Sequence, residues 1–373
     1  MRTALTDVLG IKYPIVVAPM AGAAGGLLAS AAIQSGAFGL IAGGHTPVQE
    51  LQKQIILARE ALGLGKEDAS PFGIGLICWK FEPEHGEPDK AQAFLETIIE
   101  AKVKGVWLSF GAEVEKWVGR IRKMEKEAME KEAMEKEERD GVEEAKRRTR
   151  MRVFVAGGCV DEVLQIKEWE GVDIVAAQGI ESGGHGPTYK VGLPIISFVP
   201  TVASQFAPTV PSAPLLLGSG GIATGAQLVA VLALGASGAV IGTAFLPTVE
   251  ATYSIGQKKR IISAKGEETV RSMNFDHARG TLGWGEHVDG RGLRNLTTEE
   301  SIEDVSSEEG MRRYTEAVKQ DDTKRIIVWA GTSVSLVGQD SQGGDFAKTE
   351  TIIKRIVGEA EEAIQRVARL EET

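Results

Sequence analysis

Cysteine is scarce. Cys78 and Cys159 are the two in 373 residues, with no CxxC pair and no Cys/His cluster at zinc spacing. That argues against a disulfide scaffold or a structural zinc, and it fits a reducing compartment. Long apolar runs are missing too: no stretch of 18 apolar residues occurs, so no transmembrane helix is expected. The N-terminal MRTALTDVLGIKYPIVVAPM breaks the apolar core that a signal peptide needs, and the last four residues match no peroxisomal address. A cytoplasmic location is therefore expected. Positive charge is in deficit, with 42 Lys and Arg against 52 Asp and Glu and a formal net charge of −10. Such a surface repels nucleic acid and anionic membrane, and neither is expected as a partner. The first strand-to-helix turn lacks GxGxxG, which argues against an open dinucleotide-binding sheet.

Glycine, by contrast, is abundant: 45 of 373 residues, where about 7% is usual. The glycines cluster at the ends of apolar runs rather than in linkers, as working loops with tight turns require. Eight such runs occur: Pro14–Gly22, Phe38–Gly44, Phe72–Lys80, Gly105–Gly111, Arg152–Gly158, Val172–Gly179, Pro214–Gly221 and Gly238–Leu246. Most are continuously apolar, as strands buried on both faces of a parallel sheet are. Helical patterns lie between them at Gly25–Ser35, Pro47–Leu62, Asp161–Glu170, Ile196–Phe206 and Thr224–Leu234. Eight strand–helix units predict an α/β fold, a (β/α)8 TIM barrel.

Two segments stand outside this alternation. Residues 113–150 carry MEKEA-MEKEA-MEKEE, with Met124, Met129 and Met134 five apart. A step of five residues makes no helical stripe, and the many Glu–Lys pairs four apart predict a solvated, charged helical insertion rather than a coiled coil. Residues 248–323 are richer in charge and contain FDHARGTLGWGEHVDGRGLRN. They are expected to form a smaller, mostly helical subdomain inserted after the last strand. The barrel would then comprise 1–247 and 324–373, ending on an amphipathic helix near Thr349–Arg366.

A barrel of this kind places its site at the C-terminal ends of the strands. That rule selects Pro19, Met20, Ala21 and Gly22; Gly43, Gly44 and His45; Gly75 and Trp79; Ser109; and Gly157 and Gly158. It also selects Gln178 and Glu181–His185, then Ser219, Gly220 and Gly221, and finally Gly242 and Thr243. The loops after strands seven and eight, with a helix N-terminus, are the recurrent phosphate site of the fold. Gly220 and Gly221 let backbone N–H groups approach a phosphate, the helix dipole favours its charge, and Thr243 offers a hydroxyl. His185 follows two glycines, on a loop with little steric cover of its own, and can act as acid or base. His45, His85, His277 and His287 are read first as surface or packing residues. One histidine, a phosphate cradle and many glycines point to a cofactor that supplies the difficult chemistry. No metal site is expected.

The motifs APMAG (Ala18–Gly22), QGIESGGHG (Gln178–Gly186), GSGGIATG (Gly218–Gly225) and IGTAF (Ile241–Phe245) resemble those of the nitronate monooxygenases, formerly called 2-nitropropane dioxygenases. RGLRN (Arg291–Asn295) and WAGTSVSL (Trp329–Leu336) resemble their later signatures. The resemblance implies an FMN-binding barrel with a helical lid. Ala18, Pro19, Met20, Ala21 and Gly22 would lie against the flavin ring, with Gly75, Gln178, Ser182, Gly183 and Gly184 also lining it. Ser219, Gly220, Gly221, Gly242 and Thr243 would bind the phosphate, and His185 would be the catalytic base. The implied substrates are alkyl nitronates or nitroalkanes together with O2, the products a carbonyl compound and nitrite; a homodimer is allowed. Departures from the family pattern occur at GIGLICW, VAGGCV and WAGTSVSL, in regions expected to shape the substrate pocket. Flavin-dependent enoyl-thioester reductases, which use NAD(P)H, share the ESGGH string and give an alternative activity.

Overall fold

The computed structural model describes residues 1–43, 46–82, 88–140, 150–206, 213–338, 340–341 and 345–370, with backbone alone at 88–89 and 136–140. Eleven strands are present among them: β1 Ile15–Val17, β2 Phe38–Ala42, β3 Ser70–Ile77, β4 Val103–Ser109, β5 Arg152–Gly157, β6 Ile174–Gln178, β7 Gly184–Pro187, β8 Leu215–Ser219, β9 Gly238–Ile241, β10 Thr269–Ser272 and β11 Val288–Leu293. Eight of these close a parallel barrel in the order β1-β2-β3-β4-β5-β6-β8-β9, each overlapping one of the eight apolar runs, with β3 and β4 starting two residues earlier than their runs. The seam is β9 against β1, with Val16 opposite Val240.

Alternation along each strand divides the apolar residues between two layers. Val16, Phe38, Leu40, Trp107, Phe154, Ile174, Leu217 and Val240 fill the barrel interior, while Ile15, Val17, Ile41, Ile74 and Val155 pack outward under the helices. Inside, Phe38 stacks on Phe154 with ring centroids 5.6 Å apart. Gly105 makes that possible, because a Cβ there would come within 2.8 Å of the Phe154 ring. The helix Ala4–Leu9, which the apolar periodicity did not announce, lays Leu5 and Leu9 against this interior. Losing either leucine to alanine would cost about 2–5 kcal/mol.

The charged segment proves to be one helix, Val114–Asp140. Its first turns belong to the alternation, contrary to the sequence reading. Val114, Trp117, Val118 and Ile121 recur at helical spacing and are buried, making this the crossover helix between β4 and β5. Further along, apart from the buried Glu125, the helix is solvated, with ion pairs four residues apart at Lys123–Glu127, Lys126–Glu130 and Lys131–Glu135. Residues 141–149 of the insertion lie outside the described residues. The last crossover position is filled by helix Thr349–Ala368, which packs on helices Gly225–Ala233 and Gly26–Gln34. It approaches so closely that a Cβ on Gly225 would overlap the backbone of Ile356 and Ala360.

Between β9 and that last helix the chain forms short helices, among them Ile255–Ile262, Asn274–Arg279 and Glu308–Lys319. Helices Asn274–Arg279, Ile302–Ser306 and Glu308–Lys319 close over a small core of Phe275, Ala278, Val305 and Tyr314. The sequence reading expected helices here and missed a sheet. Strands β10 and β11 pair antiparallel, and β11 also pairs with β7. Strand β7 is itself the barrel loop that carries His185, which stands opposite Gly290.

Candidate active site

The C-terminal ends of the barrel strands surround a cavity of about 1220 Å³, its open mouth included. Ala18, Pro19, Met20, Ala21, Gly43, Gly75, Ser109, Gln178, Ser182, Gly183, Gly184, His185, Ser219, Gly220, Gly221, Gly242 and Thr243 all line it. Gly22 lies just beyond, in a left-handed conformation (φ 74°), with its carbonyl accepting from the Thr252 hydroxyl. Gly157 and Gly158 do not line the cavity; they give room to Val163 and Pro187 instead. Gly44, His45 and His85 fall outside the described residues. Trp79 is buried one layer behind, its ring edge-on to Trp284 at 5.3 Å. His277 is half-buried and His287 exposed, in keeping with a role outside the site.

At one side of the cavity the two glycine loops meet. Gly220 (φ 102°) and Gly221 (φ 68°) hold conformations that favour glycine. The backbone N–H groups of Gly220, Gly221, Ile222 and Thr243 donate to no acceptor among the described residues. The neighbouring helix end contributes less than its position implies. The N–H groups of Ala223 and Thr224 are taken by Gln227, and that of Gly225 by Glu359. The free donors therefore belong to the turns and not to the helix terminus, which already faces a carboxylate. The Thr243 hydroxyl accepts from the Gly331 N–H at 3.0 Å, which leaves its own proton available. Ser333 braces the turn by donating to the Gly221 carbonyl at 2.6 Å.

The loop Gly179–Gly183 is fixed from several sides. Gln178 donates through Nε2 to Ser182 Oγ (3.0 Å) and to the His185 carbonyl (2.8 Å). Glu181 accepts from the Ile195 N–H at the start of helix Ile195–Ala203. Arg271 and Arg291, from β10 and β11, donate to the Ile180 carbonyl. A Cβ on Gly183 would lie 2.5 Å from the Gly331 nitrogen. The WAGTSVSL segment thus packs directly on this loop.

His185 is far from uncovered. Its side chain is 9% exposed, because the expected loop is a paired strand roofed by aromatic rings. Trp284 stacks on the imidazole with centroids 3.4 Å apart, and Trp329 meets it edge-on at 4.9 Å. Phe110 stands 6.4 Å away. Its backbone is left-handed (φ 55°), an uncommon state for a bulky residue and one that concentrates at functional sites. The imidazole Nε2 lies 2.9 Å from Oδ2 of Asp276, a fully buried carboxylate. Oδ1 of Asp276 accepts from Arg279 (2.9 Å), the Thr281 hydroxyl (2.7 Å) and Trp284 Nε1 (3.1 Å). Burial pulls the His185 pKa down, against the opposing pull of Asp276. Burial would raise the Asp276 pKa, but His185, Arg279 and Thr281 together hold it below the usual carboxylate value.

Asp276, Trp284, Trp329 and Phe110 were not picked out from sequence. Phe110 stands one residue past Ser109, where the strand-end rule points. Asp276 and Trp284 lie in the insert, to which that rule does not apply. The exposed signal was the density of Gly, Trp, Asp and His in FDHARGTLGWGEH, unusual for a merely solvated helical segment.

Known proteins resemble this chain in sequence and in fold. A nitronate monooxygenase of Neurospora crassa is 29% identical, covering 95% of this chain and 91% of its own length. A probable nitronate monooxygenase of Staphylococcus aureus is 25% identical over 90% of this chain and 92% of its own. Among solved structures, nitroalkane oxidase from Streptomyces ansochromogenes superposes with a TM-score of 0.72, covering 98% of this chain and 100% of its own at 22% identity. FabK from Thermotoga maritima gives 0.70, covering 99% of each chain at 23% identity. At such identities the structural likeness speaks for the fold alone. The nitronate monooxygenase family signature, however, matches residues 2–344. An oxidoreductase-type barrel with His185 and two glycine loops on one cavity, matched along nearly its whole length, belongs to the nitronate monooxygenase family.

Proposed function

We propose that the chain is an FMN-dependent nitronate monooxygenase, converting alkyl nitronates, and nitroalkanes after deprotonation, to carbonyl compounds and nitrite with O2. The observation that supports this most is that His185 and the residues with free N–H groups, Gly220, Gly221, Ile222 and Thr243, line one cavity. A flavin mononucleotide fits what the residues offer. Turn N–H groups and the Thr243 hydroxyl suit a phosphate, and small or apolar residues at Ala18–Ala21, Gly75 and Gly183 suit a flat ring. Gly22 would act by shaping the turn. Serving as the cofactor's cradle, the set would be completed by Gln178, Ser182, Gly184, Ser219 and Gly242. When bound, the flavin would supply electron transfer from the nitronate onward to O2.

The chain's own part is binding, proton movement and exclusion of water. Neutral His185 takes the proton from the α-carbon of a nitroalkane; protonated, it stabilises an anionic nitronate. Phe110, Trp284 and Trp329 exclude water from that step. In this reading the insert 248–323 is a lid over the barrel formed by 1–247 and 324–373, and substrates are small molecules. Anaerobic mixing tests the proposal against the enoyl-thioester reductase alternative. Propyl-2-nitronate should bleach the bound flavin within seconds. Bleaching by NADH but not by the nitronate would reverse the choice, and a colourless protein that FMN cannot reconstitute would end both readings.

A further inference from the structure

We infer that Asp276 is the positioning residue for His185: it locks the imidazole with its proton on Nε2, so that Nδ1 is the atom that receives the substrate's proton. This rests on the function proposed above. An ionised carboxylate only accepts hydrogen bonds, so a ring nitrogen 2.9 Å from Asp276 Oδ2 must carry hydrogen. In a neutral imidazole the other nitrogen then holds the lone pair. Nδ1 takes no hydrogen bond from the described residues, and the residue lines the cavity.

Three further observations fix the pair. The stacked Trp284 ring and the edge-on Trp329 ring leave the imidazole little freedom to turn over. The two oxygens of Asp276 divide their partners: among the described residues Oδ2 serves His185 alone, and Oδ1 holds Arg279, Thr281 and Trp284. One buried carboxylate therefore orients both the base and the ring that covers it. The other charges acting on the imidazole are Arg279 and Arg271, and both disfavour its protonated form. Asp276 is the group that offsets them. The step balances simply: the Cα–H bond of the nitroalkane breaks, its proton goes to Nδ1, and its electron pair remains on the nitronate.

The test begins with the unaltered FMN-loaded protein labelled with ¹⁵N-histidine. Five histidines give few resonances, and a His185→Gln sample assigns the one of interest. The expected spectrum has protonated Nε2 and bare Nδ1 at neutral pH. A proton on Nδ1, or an even mixture of tautomers, overturns the inference without any variant having to fold. Asp276→Asn should then lower kcat/KM for a neutral nitroalkane about 100-fold, as loss of an orienting partner does. Turnover of the preformed nitronate should fall by a small factor only. The acid limb of the nitroalkane profile should also move to lower pH, because the group favouring imidazolium is gone. Equal losses on the two substrates would reduce Asp276 to a support for the cover and sink the inference. If the unaltered enzyme turns over neither substrate, the proposed function fails, while the nitrogen spectrum still judges the pairing.

Discussion

Gly221→Ala separates the backbone demands of the site from its binding demands. At φ 68° an alanine is strained by about 1–2 kcal/mol. The new methyl would also sit 3.0 Å from Glu181 Cβ, tight enough that one of the two must shift. If the backbone stays, the cost appears as stability, a few degrees of Tm. If it relaxes, the Gly221 N–H turns from the proposed phosphate and a charge-assisted hydrogen bond of about 1.5–3 kcal/mol is lost. That is about 10–150-fold in affinity. Riboflavin, which lacks the phosphate, supplies the comparison, because its Kd should be unchanged. Gly63→Ala supplies the control: its φ of 65° imposes the same backbone cost, and a methyl there meets nothing within 4 Å. Flavin titrations by fluorescence on the three proteins measure the ratio of the FMN and riboflavin constants. Gly221→Ala should collapse that ratio and Gly63→Ala should not. An unchanged ratio in Gly221→Ala, or an equal fall in Gly63→Ala, would falsify the phosphate assignment.

Other expected outcomes follow from the same geometry. His185→Asn should abolish nitroalkane turnover and retain much of the nitronate turnover, read by nitrite release; equal losses would remove proton abstraction from its role. Because burial lowers the His185 pKa, the neutral base persists below the ordinary histidine value, so the acid limb of nitroalkane kcat/KM should fall below about pH 6.5. A limb above that value contradicts the burial argument. Glu125→Ala should cost about 1–3 kcal/mol in urea unfolding, since the buried Met151 N–H loses its acceptor while Arg122 keeps Asp173. Two residues on, Glu127→Ala should cost under about 1 kcal/mol, because that ion pair is exposed. Similar costs for the two would mean that the helix is uniformly solvated.

The barrel was legible because its physics is repetitive. Eight doubly buried strands must be continuously apolar, and their glycine ends mark the loops. The glycine turn after β8 could be read for the same reason: Gly220 and Gly221 occupy backbone states that few other residues share. Legibility stopped where contacts are long-range. Nothing local says that Asp276 meets His185 across 91 residues, or that Trp284 folds onto the imidazole. The strand Gly184–Pro187 reads as a glycine loop because its pairing partner lies a hundred residues on, in β11. Trp117, Val118 and Ile121 were hidden differently: the run of charge that follows masked a short apolar stripe at the helix start.

That shared strand limits how this enzyme can be recombined. Since β7 leaves the barrel wall and is hydrogen-bonded into the sheet of the insert, the insert is no detachable cassette. A chimera that exchanged 248–323 with a relative would keep His185 but supply it with a foreign Gly290, Asp276 and Trp284. Four paired positions, Gly184 to Pro187 against Val288 to Arg291, would have to match at once. The smallest transplantable unit is therefore the insert together with residues 179–187 and the Trp329–Gly331 segment that packs on both. Changes around the cavity are confined to those that these pieces tolerate together, and a library that varies one alone would sample mostly misplaced imidazoles.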